Sequence, residues 1–394
     1  MRSDTDEYLG SLDGCAEDWR IEYGNPLRKQ QASLPPPVRR GHAQVMQRDS
    51  TTDSLLDVVI IGGGAAGLTA AQVLGRARRA VAVIDSHLPR NGPAAHVHGF
   101  LSRDGTPPAA LVATGRQEAR EYGVDLIDEH VTEISWRGVD PGFVVQLTDG
   151  RELETRAILV STGLRDELPD VPGLRQRWGI DVLHCPFCHG YEVRDEPIGV
   201  LGGDVRELSI HQALLLPQWS SDVVFFPNGI ELTDGERARI HARGVEIVEG
   251  PVRGIVVDDD RLRAVELEDG RLVPRAALFV GPRFIPNDSL LTGIGCDVGT
   301  HGFVTVDGTG RTSVPGIWAA GNVADPRAQV ITAAGAGSAA AIAINGYLLE
   351  RDVDTALARR DQVPPDDMFS PAMEREVSAI VLHAKRSDPR SPLS

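Results

Sequence analysis

The segment from Leu55 to Asp85 constrains the fold of this chain more than any other. LLDVVII is an apolar run rich in β-branched residues, the pattern of a strand buried on both faces. Gly62-Gly63-Gly64-Ala65-Ala66-Gly67 follows directly, then LTAAQVLGRARR with helical periodicity, then AVAVID as a second strand. This order predicts a parallel βαβ unit within an α/β fold. Gly62, Gly64 and Gly67 stand in G-x-G-x-x-G spacing where the strand turns into the helix. Gly62 allows the tight turn, Gly64 lets the backbone approach a pyrophosphate, and Gly67 allows close helix–strand packing. Ala66 belongs to the same cradle, and the helix start supplies N–H donors and a partial positive charge. Asp85 ends the second strand, where a carboxylate accepts hydrogen bonds from a ribose. The segment therefore predicts dinucleotide binding.

A second unit echoes the first. PIGVLGG reads as strand and loop, SIHQALLLPQW as helix and DVVFFP as strand. Short alternating strands with a D-G turn follow (AVELEDGRLV), then AALFVG. The last third holds TSVPGIWAAGN, a strand running into a loop, and a helix of small residues from Ile331 to Leu349. Two dinucleotide-type units with a returning C-terminal segment predict a double-Rossmann architecture. Glycine supports this: 42 of 394 residues is above the usual ~7%, and much of the excess falls in these loops. Residues 1–54 show no sustained period and read as a disordered extension. Residues 352–394 read as a tail with one short helix, Pro371 to Lys385.

A formal charge of −16 argues against nucleic acid and anionic membrane surfaces as partners. The most apolar stretches, Val58 to Gly75 and Ala333 to Leu349, are broken by glycines and polar residues and do not read as membrane spans. The acidic N-terminus lacks the order of a signal peptide, so a cytoplasmic setting is expected. Four cysteines are too few for a disulfide scaffold. Two of them form Cys185-Pro186-Phe187-Cys188-His189. Thiols at this spacing close a small disulfide ring and exchange it with a substrate, while a neighbouring imidazole lowers a thiol pKa or shuttles a proton. The same string also fits a c-type haem attachment site, a zinc site using His184 or His189, or an incidental pair.

VVIIGGGAAGLTAA, VSTG at Val160 to Gly163, CPFCHGYE and AAGNVADPRAQVITAAGAG occur in that order. Together they resemble the low-molecular-weight thioredoxin reductase family over residues 55–351. Within it, the chain looks like the C-P-x-C-H-G branch of FAD-dependent thiol/disulfide oxidoreductases, which includes dithiol oxidases. The resemblance implies two Rossmann-like domains, the second inserted into the first: an FAD domain over 55–164 and 282–351, and an NAD(P)H-type domain over 165–281 carrying the dithiol. It implies that Gly62, Gly64, Ala66, Gly67 and Asp85 hold the ADP half of FAD, with Thr162 and Gly163 at the turn leaving that domain. Gly321 and Asn322 match the family's Gly-Asp at the ribityl chain, with Asn in place of Asp. Gln329 and Val330 would lie beside the isoalloxazine. Cys188 matches the flavin-proximal thiol, Cys185 the interchange thiol, and His189 stands where the family has an acid–base carboxylate.

The second glycine loop departs from the family. It reads Gly202-Gly203-Asp204-Val205-Arg206-Glu207, and Asp204 falls where glycine should admit phosphate. Phe225-Phe226-Pro227-Asn228 and Glu231 follow, with no arginine to read a 2′-phosphate, so NADPH is a doubtful donor and Arg206 is the residue able to compensate. The expected activity passes electrons between FAD, the Cys185–Cys188 pair and an external disulfide or dithiol, with a thioredoxin-like protein or a small molecule as partner. The alternatives are an oxygen-dependent oxidase of a small-molecule dithiol that works without NADPH, and a non-catalytic flavin-binding redox sensor. The resemblance also implies a homodimer.

Overall fold

A computed structural model describes residues 55–138, 142–362 and 371–386. The expected extension over 1–54 lies outside the described residues. β1 (Leu56–Ile61) is apolar on both faces and sits inside a covered sheet. Val58 and Ile60 pack into one layer, Val59 and Ile61 into the other, and all four are buried. α1 (Ala65–Arg76) returns the chain to β2 (Val81–Asp85), parallel to β1. α2 (Pro108–Glu121) leads to β3 (Asp125–Asp128) beyond β2. β4 (Val131–Trp136), β5 (Phe143–Leu147) and β6 (Glu152–Val160) form an antiparallel meander, and β6 then pairs in parallel with β1.

At β7 (Leu164–Glu167) the chain leaves this sheet. α3 (Leu174–Arg177), β8 (Val182–Leu183) and the single turn α4 (Pro186–His189) precede a second βαβ run. That run is β9 (Ile198–Leu201), α5 (Arg206–Leu215), β10 (Val223–Phe226), α6 (Asp234–Ala242) and β11 (Glu246–Ile247). β12 (Val252–Asp258), β13 (Arg261–Leu267) and β14 (Leu272–Pro274) make a small antiparallel sheet before β15 (Ala277–Val280) re-enters the parallel one. The parallel order is β11-β10-β9-β15-β8. The antiparallel sheet covers one face through Val265 and Leu267; α5 and α6 cover the other through Ala213 and Ile240.

β16 (Arg283–Pro286) runs back antiparallel to β7 and places Phe284 opposite Asp166. The second Rossmann-like unit is thus inserted into the first through a two-stranded ribbon, the fold class expected from the two glycine loops. After α7 (Ser289–Gly293), β17 (Ile317–Ala319) pairs with the C-terminal end of β6 and restores the first sheet. α8 (Val330–Gln362) packs on α1; a Cβ on Gly337 would lie 2.0 Å from the Ala66 carbonyl oxygen, so the two backbones meet there. α8 runs past the expected end at Leu349 because no glycine or proline interrupts Glu350 to Gln362. By length and composition it is long and apolar enough to cross a membrane, while its Ala340, Ala341, Ile344 and Leu348 are buried in the first core. α9 (Pro371–Arg386) lies on the expected C-terminal helix.

Candidate functional site

The first glycine loop opens onto a cavity of about 1000 Å³ whose lining also includes Cys185, Cys188, His184 and His189. Gly62 takes φ +105°, and a Cβ there would lie 2.4 Å from the Ser161 carbonyl oxygen. A Cβ on Gly67 would lie 2.0 Å from the Gly62 oxygen, whereas Gly64 has nothing within 4 Å. Two glycines therefore hold the turn tight and the third leaves room for a ligand. α1 has no side-chain cap and no acidic residue in its first turn, so its leading N–H groups remain available to an anion. Asp85 Oδ1 accepts the Gly63 N–H at 3.0 Å, fixing the carboxylate at the end of β2. Ala66 lines the cavity, and Gly321 (φ +77°) brings its loop against the Ala66 methyl. These residues fit the ADP half of FAD.

Thr162 and Gly163 lie where β6 gives way to β7. Thr162 Oγ1 donates to the Asn287 carbonyl at 2.7 Å, and the Asn287 amide returns a bond to the Thr162 carbonyl at 2.9 Å. The outgoing and returning chains are therefore tied together. The Asn322 amide donates to the Asp325 and Ala328 carbonyls, each at 2.9 Å. A carboxylate could make neither bond, which gives a physical reason for Asn here. That loop delivers Gln329 and Val330 to the start of α8, both lining the cavity.

The dithiol forms at the end of β8. Cys185 is the N-cap of α4, Pro186 opens the turn, and Cys188 and His189 both donate backbone N–H bonds to the Cys185 carbonyl at 3.1 Å. Cys185 and Cys188 are joined as a disulfide with a Cα separation of 5.2 Å. Gly190 ends the turn against Trp219, where a Cβ would lie 2.9 Å from the indole. Gln329 Nε2 lies 4.0 Å from Cys188 Sγ, so the flavin-proximal assignment of Cys188 and the flavin-side assignment of Gln329 fall on neighbouring groups. Both ring nitrogens of His189 are buried without a protein partner. Burial pushes the His189 pKa below the ordinary imidazole value, partly opposed by Glu192. His98 lies 3.4 Å from both Glu192 and Asp104, and His96 shares the cavity lining.

Sequence reasoning missed two residues here. In sequence His184 reads only as a candidate zinc ligand. Its Nδ1 is buried and unpartnered, and burial, followed by the charge of Arg90, pushes its pKa down to about 4, so it is neutral near pH 7. Among the described residues, no cluster of three or more His, Cys, Asp or Glu side chains is arranged to hold a metal ion. Arg90 carries no motif. It makes a bidentate pair with Asp166 at 2.7 and 2.9 Å and donates to Asn322 Oδ1 at 3.2 Å, reaching partners 76 and 232 positions away.

The second glycine loop is closed on itself. A Cβ on Gly202 would lie 2.1 Å from the Pro227 carbonyl oxygen, and the Gly203 N–H donates to Ser209 Oγ at 3.2 Å. The Arg206 guanidinium pairs with Glu236 at 2.5 Å and also donates to the Glu231 carbonyl. Arg206, together with the Thr233 cap, holds the Glu236 carboxyl down at about 2.

A nucleotide cradle and a dithiol on one cavity, carried by two Rossmann-like units, define a flavoprotein-type thiol/disulfide oxidoreductase. Residues 56–338 match the pyridine nucleotide-disulphide oxidoreductase family. The chain belongs to that family. The thioredoxin reductase sirT of Leptosphaeria maculans is 32% identical over 320 residues, covering 77% of this chain and 98% of the relative. The crystal structure of HlmI is 52% identical with a TM-score of 0.77, covering 79% of this chain and 98% of that one. An oxidoreductase from Agrobacterium tumefaciens is 37% identical with a TM-score of 0.70, covering 75% and 99%. The protein is a thioredoxin reductase-like, FAD-dependent thiol/disulfide oxidoreductase.

Proposed function

We propose that the enzyme works as a dithiol oxidase: a small-molecule dithiol reduces the Cys185–Cys188 pair and leaves as a disulfide, and oxygen rather than NADPH completes the cycle. The observation that carries this reading is the second glycine loop. Arg206 is engaged by Glu236, the Gly203 N–H by Ser209, and Asp204 adds a negative charge where phosphate would lie.

Held by the first loop, FAD supplies a two-electron carrier able to exchange with the sulfur pair and with oxygen. The sulfur steps follow from the dithiol itself. One substrate thiolate attacks Cys185 Sγ, the bond to Cys188 breaks, and Cys188 leaves as a thiolate. The Gln329 N–H beside Cys188 Sγ favours that anion. The second substrate thiolate then attacks the substrate sulfur of the mixed disulfide and expels Cys185. The substrate loses two electrons and two protons, and the protein pair gains the two electrons. A free ring nitrogen of His189, neutral because burial lowers its pKa, accepts one proton, and water takes the other.

The reverse direction, with NADPH as donor and a thioredoxin-like protein as acceptor, is the second reading, favoured by the name of the L. maculans relative. We place either reaction in the cytoplasm and in a homodimer. Steady-state turnover decides the direction. With dithiothreitol, the oxidase reading expects oxygen uptake at a rate unaffected by NADPH. NADPH consumption coupled to disulfide reduction, with no oxygen uptake from dithiols, would reverse it.

A further inference from the structure

The inserted unit is joined to the first by only two strands, and such a connection twists readily unless something secures it. Arg90 is placed to secure it. Its Nε and Nη2 form a fork on Asp166 of β7, whose side chain is only 7% exposed. Its guanidinium carbon lies 5.2 Å from the centre of the Phe284 ring on β16, directly across the ribbon from Asp166. Its Nη1 donates to Asn322 in the first unit. One planar cation therefore holds both strands of the ribbon to the cofactor-side loop.

Two lines of contact run from this cation to the two sulfurs. The Phe284 ring packs edge-on against His184 with centroids 5.1 Å apart, and His184 is the residue before Cys185. Asn322 organises the turn through Ala328, and the next residue, Gln329, approaches Cys188 Sγ. We propose that Arg90 is a positioning residue: it latches the interdomain ribbon and thereby holds the dithiol against Gln329, on the cofactor side of the cavity. The inference rests on the thiol/disulfide chemistry of the site and holds for either direction of electron flow. A lysine cannot replace the fork, because it offers a point charge without the paired geometry.

The test reads the position of the sulfurs rather than turnover. Holoprotein is reduced, treated briefly with iodoacetamide, and the alkylation of Cys188 relative to Cys185 is measured by peptide mass spectrometry. Hydrogen exchange is followed over 164–167 and 283–286. In the parent protein Cys188 Sγ lies 4.0 Å from Gln329 Nε2, and the alkylation ratio reports whether that neighbour is kept. Arg90→Ala is expected to raise the Cys188-to-Cys185 ratio by about tenfold and to speed exchange in the ribbon, with Arg90→Lys between the two, as loss of a charge-assisted pair implies. Removing Arg90 alone leaves a buried carboxylate unpaired and threatens folding, so Arg90→Met/Asp166→Leu supplies an apolar replacement that keeps the fold without the latch. If folded variants keep the parent ratio and ribbon exchange, the latch is refuted.

Discussion

The two glycine loops of this chain share a topology and differ in what their backbone faces. In the first, the glycine Cβ positions point into neighbouring backbone at Gly62 and Gly67 but into open space at Gly64, and the helix behind has no acidic residue in its first turn, whereas α5 carries Glu207 there. In the second, Gly202 packs on Pro227, the Gly203 N–H is taken by a serine, and the nearby cation is held by a glutamate thirty positions away. The same glycine-rich turn between strand and helix therefore stands in different surroundings in the two units. What distinguishes the loops is open space and charge: the first leaves Gly64 unobstructed before a helix start without acidic residues, while the second carries Asp204 in the loop and Glu207 in the first turn of α5.

That contrast can be broken or sharpened by mutation. The largest effect is expected from Cys188→Ser, which leaves a substrate thiolate no disulfide to attack; dithiol oxidation should fall to background in an oxygen-uptake assay while the protein stays yellow. Gly67→Val should act on the other half of the cavity, since its Cβ would lie 2.0 Å from the Gly62 oxygen. It should purify with little flavin, as absorbance will show, and retained colour would remove the cradle from the account. His189→Asn should slow turnover by about 10²-fold, the lower range for loss of a general acid–base group. In the parent enzyme the neutral imidazole is the active form and its pKa is lowered by burial. The thiolate fraction of the substrate falls with pH in parent and variant alike, so the parent-to-variant rate ratio should hold as pH drops past the ordinary ~6.5 and fall only below it.

A smaller effect concerns stability. His184 titrates at about 4 in the folded protein and near the ordinary ~6.5 when unfolded. Between those values the unfolded chain binds the extra proton, so stability declines as pH falls through that window. A melting series in acid should show the decline, and His184→Phe should lessen it. The smallest effect is expected at Arg206. Arg206→Ala should change dithiol turnover less than about twofold, because the pair it breaks is a surface one. A large loss would mean that the second unit contributes to dithiol oxidation beyond carrying the sulfur pair.

Much of this was legible in the sequence because the determinants are local. Strand, glycine turn and helix occupy one continuous segment, and the sulfur pair needs only four residues and a turn. His189, the proton carrier we propose, is legible for the same reason. Less legible were features built by contacts between distant segments. Nothing around Arg90 in LPRN signals that it will meet Asp166, Phe284 and Asn322. Arg206 looked free in sequence because Glu236 lies beyond the next strand, at the start of α6. In sequence Asn322 is only an Asn in the family's Asp position; its two amide bonds to the loop carbonyls depend on how the turn folds. The length of α8 was underestimated because small residues marked its packed half and nothing marked its continuation.

The account depends most on which reductant reaches the sulfur–flavin pair. Yellow holoprotein is mixed without oxygen, first with NADPH and then with dithiothreitol, and the visible spectrum is followed from the first seconds. The account predicts no change with NADPH and bleaching on addition of the dithiol. Rapid bleaching by stoichiometric NADPH alone would contradict it.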